Sequence, residues 1–234
     1  MLRILALVIS VVFQPLLMPT LVFGMLLFAV PEATTIPEEF KYRIFFLIVL
    51  STLLIPMISI IGLRLSGMVK SLHMPERKDR AIPFLMTCVY FILTLFFLYQ
   101  KSELDPILWL GMGVISFSVI VLTIVTFFWK MSAHMVGVGG FLAVVLVLGF
   151  EFSNFQAVYP LLLVLILSGA IATSRLYLNA HKPAEVYAGF FTGFLICLAG
   201  FSWLWSYFLR KVGPSGSKKI RLSAGFKFIF KGKA

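Results

Sequence analysis

The chain has 234 residues, 61% of them hydrophobic and only 12% charged, where a soluble domain carries about a quarter charged residues. No single globular core holds that much apolar surface, so the composition excludes a soluble enzyme and leaves an integral membrane protein. The net charge of +11 is mostly local, eight of the twenty Lys and Arg lying in the last 25 residues. A basic flank after a membrane span is what the positive-inside rule leaves in the cytoplasm, so no nucleic-acid partner is implied.

A membrane span needs about 20 apolar residues, and such runs lie at roughly 4–30, 44–66, 81–100, 106–129, 135–152, 157–174 and 185–209. The first opens "MLRILALVISVVF" like a signal peptide, but no small-residue cleavage site follows. Pro15 and Pro19 continue into more apolar sequence, which predicts a retained, kinked helix. The expected fold is an all-α polytopic membrane bundle of six to seven transmembrane helices, one domain over 1–209 with a basic tail at 210–234. Cys88 and Cys197 sit inside apolar runs without metal-ligand spacing and read as buried small hydrophobes.

The unusual polar residues fall in three connections: 71–84 (SLHMPERKDRAIPF), 129–140 (WKMSAHMVGVGG) and 174–185 (SRLYLNAHKPAE). Two spans separate the first from the second, and two more separate the second from the third. An even number of crossings returns the chain to the same face, so all three meet on one side of the membrane. The other loops carry acidic residues but no histidine.

Each connection brings something different to that face. The first supplies Arg77, Lys78 and Arg80, and guanidiniums suit phosphate oxygens, although the same residues also read as an ordinary basic loop. The second sets Lys130, Ser132 and His134 at the mouth of a helix, where free backbone N–H groups favour an anion. The third holds Arg175, His181 and Glu185. His181 and Glu185, four apart, would share the face of a helix beginning near Pro183. A carboxylate on one imidazole nitrogen fixes the tautomer and raises the basicity of the other. Histidines and cations together, with no carboxylate pair and no metal-ligand cluster, describe phosphoryl transfer to a histidine, with a second histidine protonating the leaving oxygen.

These residues resemble the type 2 phosphatidic acid phosphatase (PAP2) and vanadium haloperoxidase superfamily, whose signature is K-x6-RP, PSGH and SR-x5-H-x3-D. Ser174-Arg175, five residues, His181, three residues and Glu185 match the third part with Glu for Asp. Met131-Ser132-Ala133-His134 keeps the Ser and His of the second. In the first, two residues separate Arg80 from Pro83, and Lys70 stands seven before Arg77 instead of before Arg80. The resemblance covers about 70–200 and points to a divergent bacterial branch.

The resemblance implies roles. His181 would attack phosphorus, Glu185 would orient it, and His134 would protonate the leaving group. Arg175, Arg80, Ser132 and the amide near Ala133 would hold the phosphoryl oxygens, with Arg77, Lys78 or Lys130 adding charge. No metal or other cofactor is implied. The expected substrate is a lipid phosphate or diphosphate at the bilayer surface of a bacterial inner membrane, with the site facing outward and the tail cytoplasmic. Two alternatives stand beside it: a PAP2-fold protein that binds a lipid phosphate or a partner without catalysis, and a small transporter.

Overall fold

The computed structural model describes residues 1–69, 78–100, 105–152 and 154–216, with the side chains of 78 and 208–216 left aside. Arg77 and the basic tail from 217 onward lie outside the described residues, as does the side chain of Lys78.

Every regular element among the described residues is helical. The chain begins with α1 (Leu2–Val12) and α2 (Leu17–Gly24), the latter running on through a π turn at Met25–Ala29. The axis bends by 62° between these two pieces. Proline explains the break: Pro15 pushes Gln14 out of the α region and cannot itself donate to the preceding turn.

The next span joins α3 (Glu38–Val49) to α4 (Ile55–Leu65) through a π turn at Leu50–Leu54, just before Pro56. It starts six residues earlier than the apolar run suggests. Pro37 precedes the helix, and Glu38 and Glu39 occupy its first turn, where carboxylates complement the helix dipole. Four further spans follow: α5 (Lys78–Gln100), α6 (Pro106–Phe128), α7 (Ala133–Glu151) and α8 (Val158–Tyr177). The last, α9, covers Pro183–Gly216.

Among the described residues, six helices are long and apolar enough to cross a membrane, and the bent pair makes seven if it counts as one span. The chain is an integral membrane protein. Its axis is α7, whose most apolar stretch is 72% buried against 22–44% for the other five spans. Exposed Phe46, Ile58, Val89, Phe96 and Ile166 turn outward, as side chains facing lipid do.

Glycines let α7 and α9 touch backbone to backbone. A Cβ at Gly139 would strike the Phe190 carbonyl, and one at Gly193 would strike the Val136 carbonyl. This approach clamps the start of α7 against the start of α9. At the opposite end, the Asp105 carboxylate accepts from the Thr35 N–H at 2.8 Å, and its other oxygen caps α6 through the Ile107 N–H at 3.1 Å. The Asn154 amide donates to Glu32 at 2.8 Å. The connections without histidine are thereby tied to one another.

Candidate functional site

The third polar segment is shaped by two helix-end motifs. At the end of α8, Asn179 takes a left-handed conformation with φ 49°. Its N–H donates to the Leu176 carbonyl at 2.9 Å, and the Ala180 N–H donates to Arg175 at 3.0 Å. This double bond pattern is a Schellman motif, with Asn in the position usually given to Gly. It ends the helix at Tyr177, two residues past Arg175, and turns the chain toward His181.

Pro183 then opens α9 with Glu185 at its third position. The Glu185 carboxylate reaches back to accept from the Lys182 N–H at 3.2 Å, as the acid of a capping box does. The same oxygen takes a bond from His181 Nδ1 at 2.7 Å. His181 therefore lies outside the helix. It meets Glu185 through this cap, not along one helical face as the four-residue spacing suggests.

The second segment packs onto this turn. Ser132 precedes α7, its N–H donates to the Glu185 carbonyl oxygen at 3.2 Å, and a Cβ at Gly189 would come within 2.6 Å of the Ser132 carbonyl. Ser132 is the N-cap, yet its side chain makes no capping bond. It is fully buried, and its hydroxyl has no hydrogen-bond partner. Arg175 Nε is likewise buried without a partner. A buried hydroxyl and guanidine N–H left unmade cost about 1–3 kcal/mol each. An anion in the cavity that Arg175, Ala133 and His134 line would offer acceptors to the Arg175 Nε and to the first N–H groups of α7, which no helical carbonyl can serve.

The described part of the first segment, from residue 78 on, forms the opening of α5. Arg80 is buried there and places Nη1 3.3 Å from His181 Nε2. These contacts fix the imidazole's protons. A guanidinium can only donate and an ionised carboxylate can only accept, so Nδ1 carries the hydrogen and Nε2 keeps a lone pair. Burial, followed by the charges of Arg80, Arg175 and Lys130, lowers the His181 pKa to about 3. Lys130, in the connection before α7, is itself lowered, by burial first and then by Arg80.

Arg80, Ala133, His134, Arg175 and His181 line one cavity of about 440 Å³. From this polar end it runs between the helices to Phe91, Ile115 and Phe141. Phe91 is eleven residues along α5 from Arg80, roughly 16 Å at 1.5 Å per residue. The bent N-terminal pair supplies much of the wall, including Leu7, Val11, Met18 and Val22. His134 sits between the two regions, with Nε2 donating to the Ser10 main-chain carbonyl at 2.9 Å.

Of the residues singled out in the sequence, the structure thus gathers Arg80, Lys130, Ser132, Ala133, His134, Arg175, His181 and Glu185 at one end of the bundle. Arg77 and the Lys78 side chain lie outside the described residues. Three contributors were not singled out: Ser10, Asn179 and the Lys182 N–H. Two of these act through main-chain atoms, which leave no residue signature; the only hint of the first was the pair of prolines at 15 and 19. Among the described residues, no group of three or more His, Cys, Asp or Glu side chains could hold a metal ion. No family model, curated protein or solved structure matches the chain.

Proposed function

We propose that this chain is a membrane lipid phosphatase of the PAP2 type, hydrolysing a lipid phosphomonoester or diphosphate through a phosphohistidine. The observation that carries the reading is His181. Its Nδ1 is held by Glu185 at 2.7 Å, its Nε2 bears a lone pair, and it lines an apolar cavity together with Arg80 and Arg175, whose Nε has no partner.

In the proposed reaction, His181 Nε2 forms a bond to phosphorus while the bond from phosphorus to the leaving oxygen breaks. The leaving oxygen takes a proton from His134 Nδ1, delivered there by the monoanionic phosphate of the substrate as it binds. Water then attacks phosphorus and gives its proton back to His134. The N–P bond breaks with its electron pair returning to Nε2, and inorganic phosphate leaves. Arg80, Arg175, Ser132 and the first amides of α7 offset the charge that gathers on the phosphoryl oxygens. Arg80 Nη1 lies against the Nε2 lone pair at 3.3 Å, so attack requires its guanidinium to transfer to the phosphate. The apolar cavity suits the hydrocarbon portion of a lipid, with the phosphate at its polar end. The resemblance supports a bacterial inner membrane, an outward-facing site and a cytoplasmic tail, and it calls for no metal.

The proposal is tested by phosphate release from short-chain phosphatidic acid and a polyprenyl diphosphate in detergent with EDTA present. Turnover that vanadate blocks and His181→Ala abolishes is expected; full turnover by His181→Ala would refute it. A second reading, a lipid-phosphate binder without catalysis, draws on the Arg80 bond that covers the nucleophile. It predicts saturable binding of the same lipids with no phosphate release.

A further inference from the structure

The two histidines meet partners that dictate opposite protonation patterns. His181 faces a carboxylate at Nδ1 and a guanidinium at Nε2, so its hydrogen is on Nδ1. His134 faces a main-chain carbonyl at Nε2, 2.9 Å away. A carbonyl has no proton to give, so the hydrogen of His134 must be on Nε2.

That carbonyl is available because α1 stops where it does. The last four carbonyls of a helix have no N–H to receive, and Ser10 is among them in a helix ending at Val12. Phe13 N–H takes the Ile9 carbonyl at 3.0 Å. The next donor, Gln14 N–H, would serve Ser10 in a continuous helix, but Gln14 precedes Pro15 and is held out of the α region. The 62° bend follows, and the Ser10 oxygen turns to His134, 124 positions away.

We propose that the bent N-terminal pair is a positioning element of the reaction: the Ser10 carbonyl fixes the His134 ring and assigns all proton exchange with the leaving oxygen and the attacking water to Nδ1. The inference rests on the phosphatase reading for its consequence, but not for its geometry. The charged and titratable groups facing His134 are Arg175 from α8, the neutral His181 from the connection before α9 and Arg80 from α5; from α1 the facing group is the uncharged carbonyl. Losing the Ser10 contact therefore leaves a ring turned among cations, with its exchanging nitrogen no longer fixed.

Ring-¹⁵N histidine labelling reads both tautomers in the purified full chain, and only three histidines need assignment. His134→Gln and His181→Gln identify the two signals. Wild type is expected to show Nε2–H at His134 and Nδ1–H at His181. Pro15→Ala lets Gln14 reclaim the carbonyl. The His134 signal should become a mixture of tautomers while the His181 signal stays, with phosphate release down about tenfold and its alkaline limb displaced, a part of the roughly 10²–10⁴-fold that general acid catalysis contributes.

A His134 signal showing Nδ1–H in wild type would overturn the proposal. So would a Pro15→Ala protein that moves the His134 tautomer while leaving the rate and pH profile unchanged. If Pro15→Ala does not fold, two substitutions at 134 decide. Gln keeps a donor near the Nε2 position and should retain thermal stability while losing about 10²-fold or more in rate. Asn, too short to reach Ser10, should lose both, and equal stability of the two variants would overturn the proposal. Expected tautomers in a wild type that turns over no lipid phosphate would instead refute the phosphatase reading alone.

Discussion

Three different forces act on the His181 ring. Glu185 orients it, Arg80 faces the lone pair, and burial with the neighbouring cations keeps it uncharged down to a pKa of about 3. An unfolded histidine titrates near 6.5. Between these values the unfolded chain binds the extra proton, so this group's contribution to stability is fully present above about pH 6.5 and is lost as pH falls toward 3. Melting temperature in detergent should therefore drop between pH 7 and pH 4, and the drop should be shallower in His181→Gln.

Glu185 gives the second prediction at this scale. Its one oxygen serves both the imidazole and the Lys182 N–H, and a side chain shorter by one methylene reaches both less well. Glu185→Asp is expected to lose about 0.5–1 kcal/mol of stability, as a weakened cap does, and to slow phosphate release. Glu185→Gln removes the charge that fixes the tautomer and should cost on the order of 10³–10⁴ in rate, as in other oriented histidines. Equal rates for Glu185→Gln and wild type would show that the carboxylate does not orient the ring.

At the scale of elements, the site depends on where helices end and how closely they approach. Asn179 accepts a left-handed φ of 49°, which β-branched residues tolerate poorly. Asn179→Val should unravel the turn before His181 and lower activity, while Asn179→Gly should keep both. The clamp between α7 and α9 gives a paired test. Gly193→Ala puts a methyl group onto the Val136 carbonyl, whereas a Cβ at Gly169 meets nothing within 4 Å. The first should cost about 1–3 kcal/mol through overpacking. The second should be neutral or stabilise by up to about 1 kcal/mol. Unfolding of both variants in one detergent checks this.

This scale also marks what the sequence made legible. The Arg175, His181 and Glu185 group could be read because all three lie within eleven residues and their types name their chemistry. Its geometry could not, because the pairing runs through a helix cap and not along a helix face. The contribution of α1 was hidden for a related reason: a carbonyl belongs to every residue, and only the fold decides which one a distant imidazole meets. Arg80 was visible as a cation, but its entry as the first turn of a helix was not, since the apolar run begins only at residue 81 and the charges before it read as a basic loop.

For the whole molecule, counting crossings was enough to bring three separated segments to one face, and their described residues, Arg80, Lys130 to His134 and Arg175 to Glu185, do gather at one end of the bundle. Their opposite end is joined by the Asp105 and Glu32 contacts. Cysteines introduced at Lys182 and Glu32, one at each end, should therefore react with a membrane-impermeant thiol reagent from opposite sides of a sealed vesicle, against a background in which Cys88 and Cys197 are both buried. Labelling of both from the same side would contradict the arrangement.

The central claim is that His181 becomes covalently phosphorylated. Rapid acid-free quenching of the full-length protein with a ³²P-labelled lipid phosphate tests it directly. The account predicts an acid-labile, alkali-stable phosphoprotein in wild type that accumulates in His134→Gln, where water attack is slowed, and is absent in His181→Gln. Phosphate release at the wild-type rate by His181→Gln, or turnover in which the label maps to another residue, would contradict it.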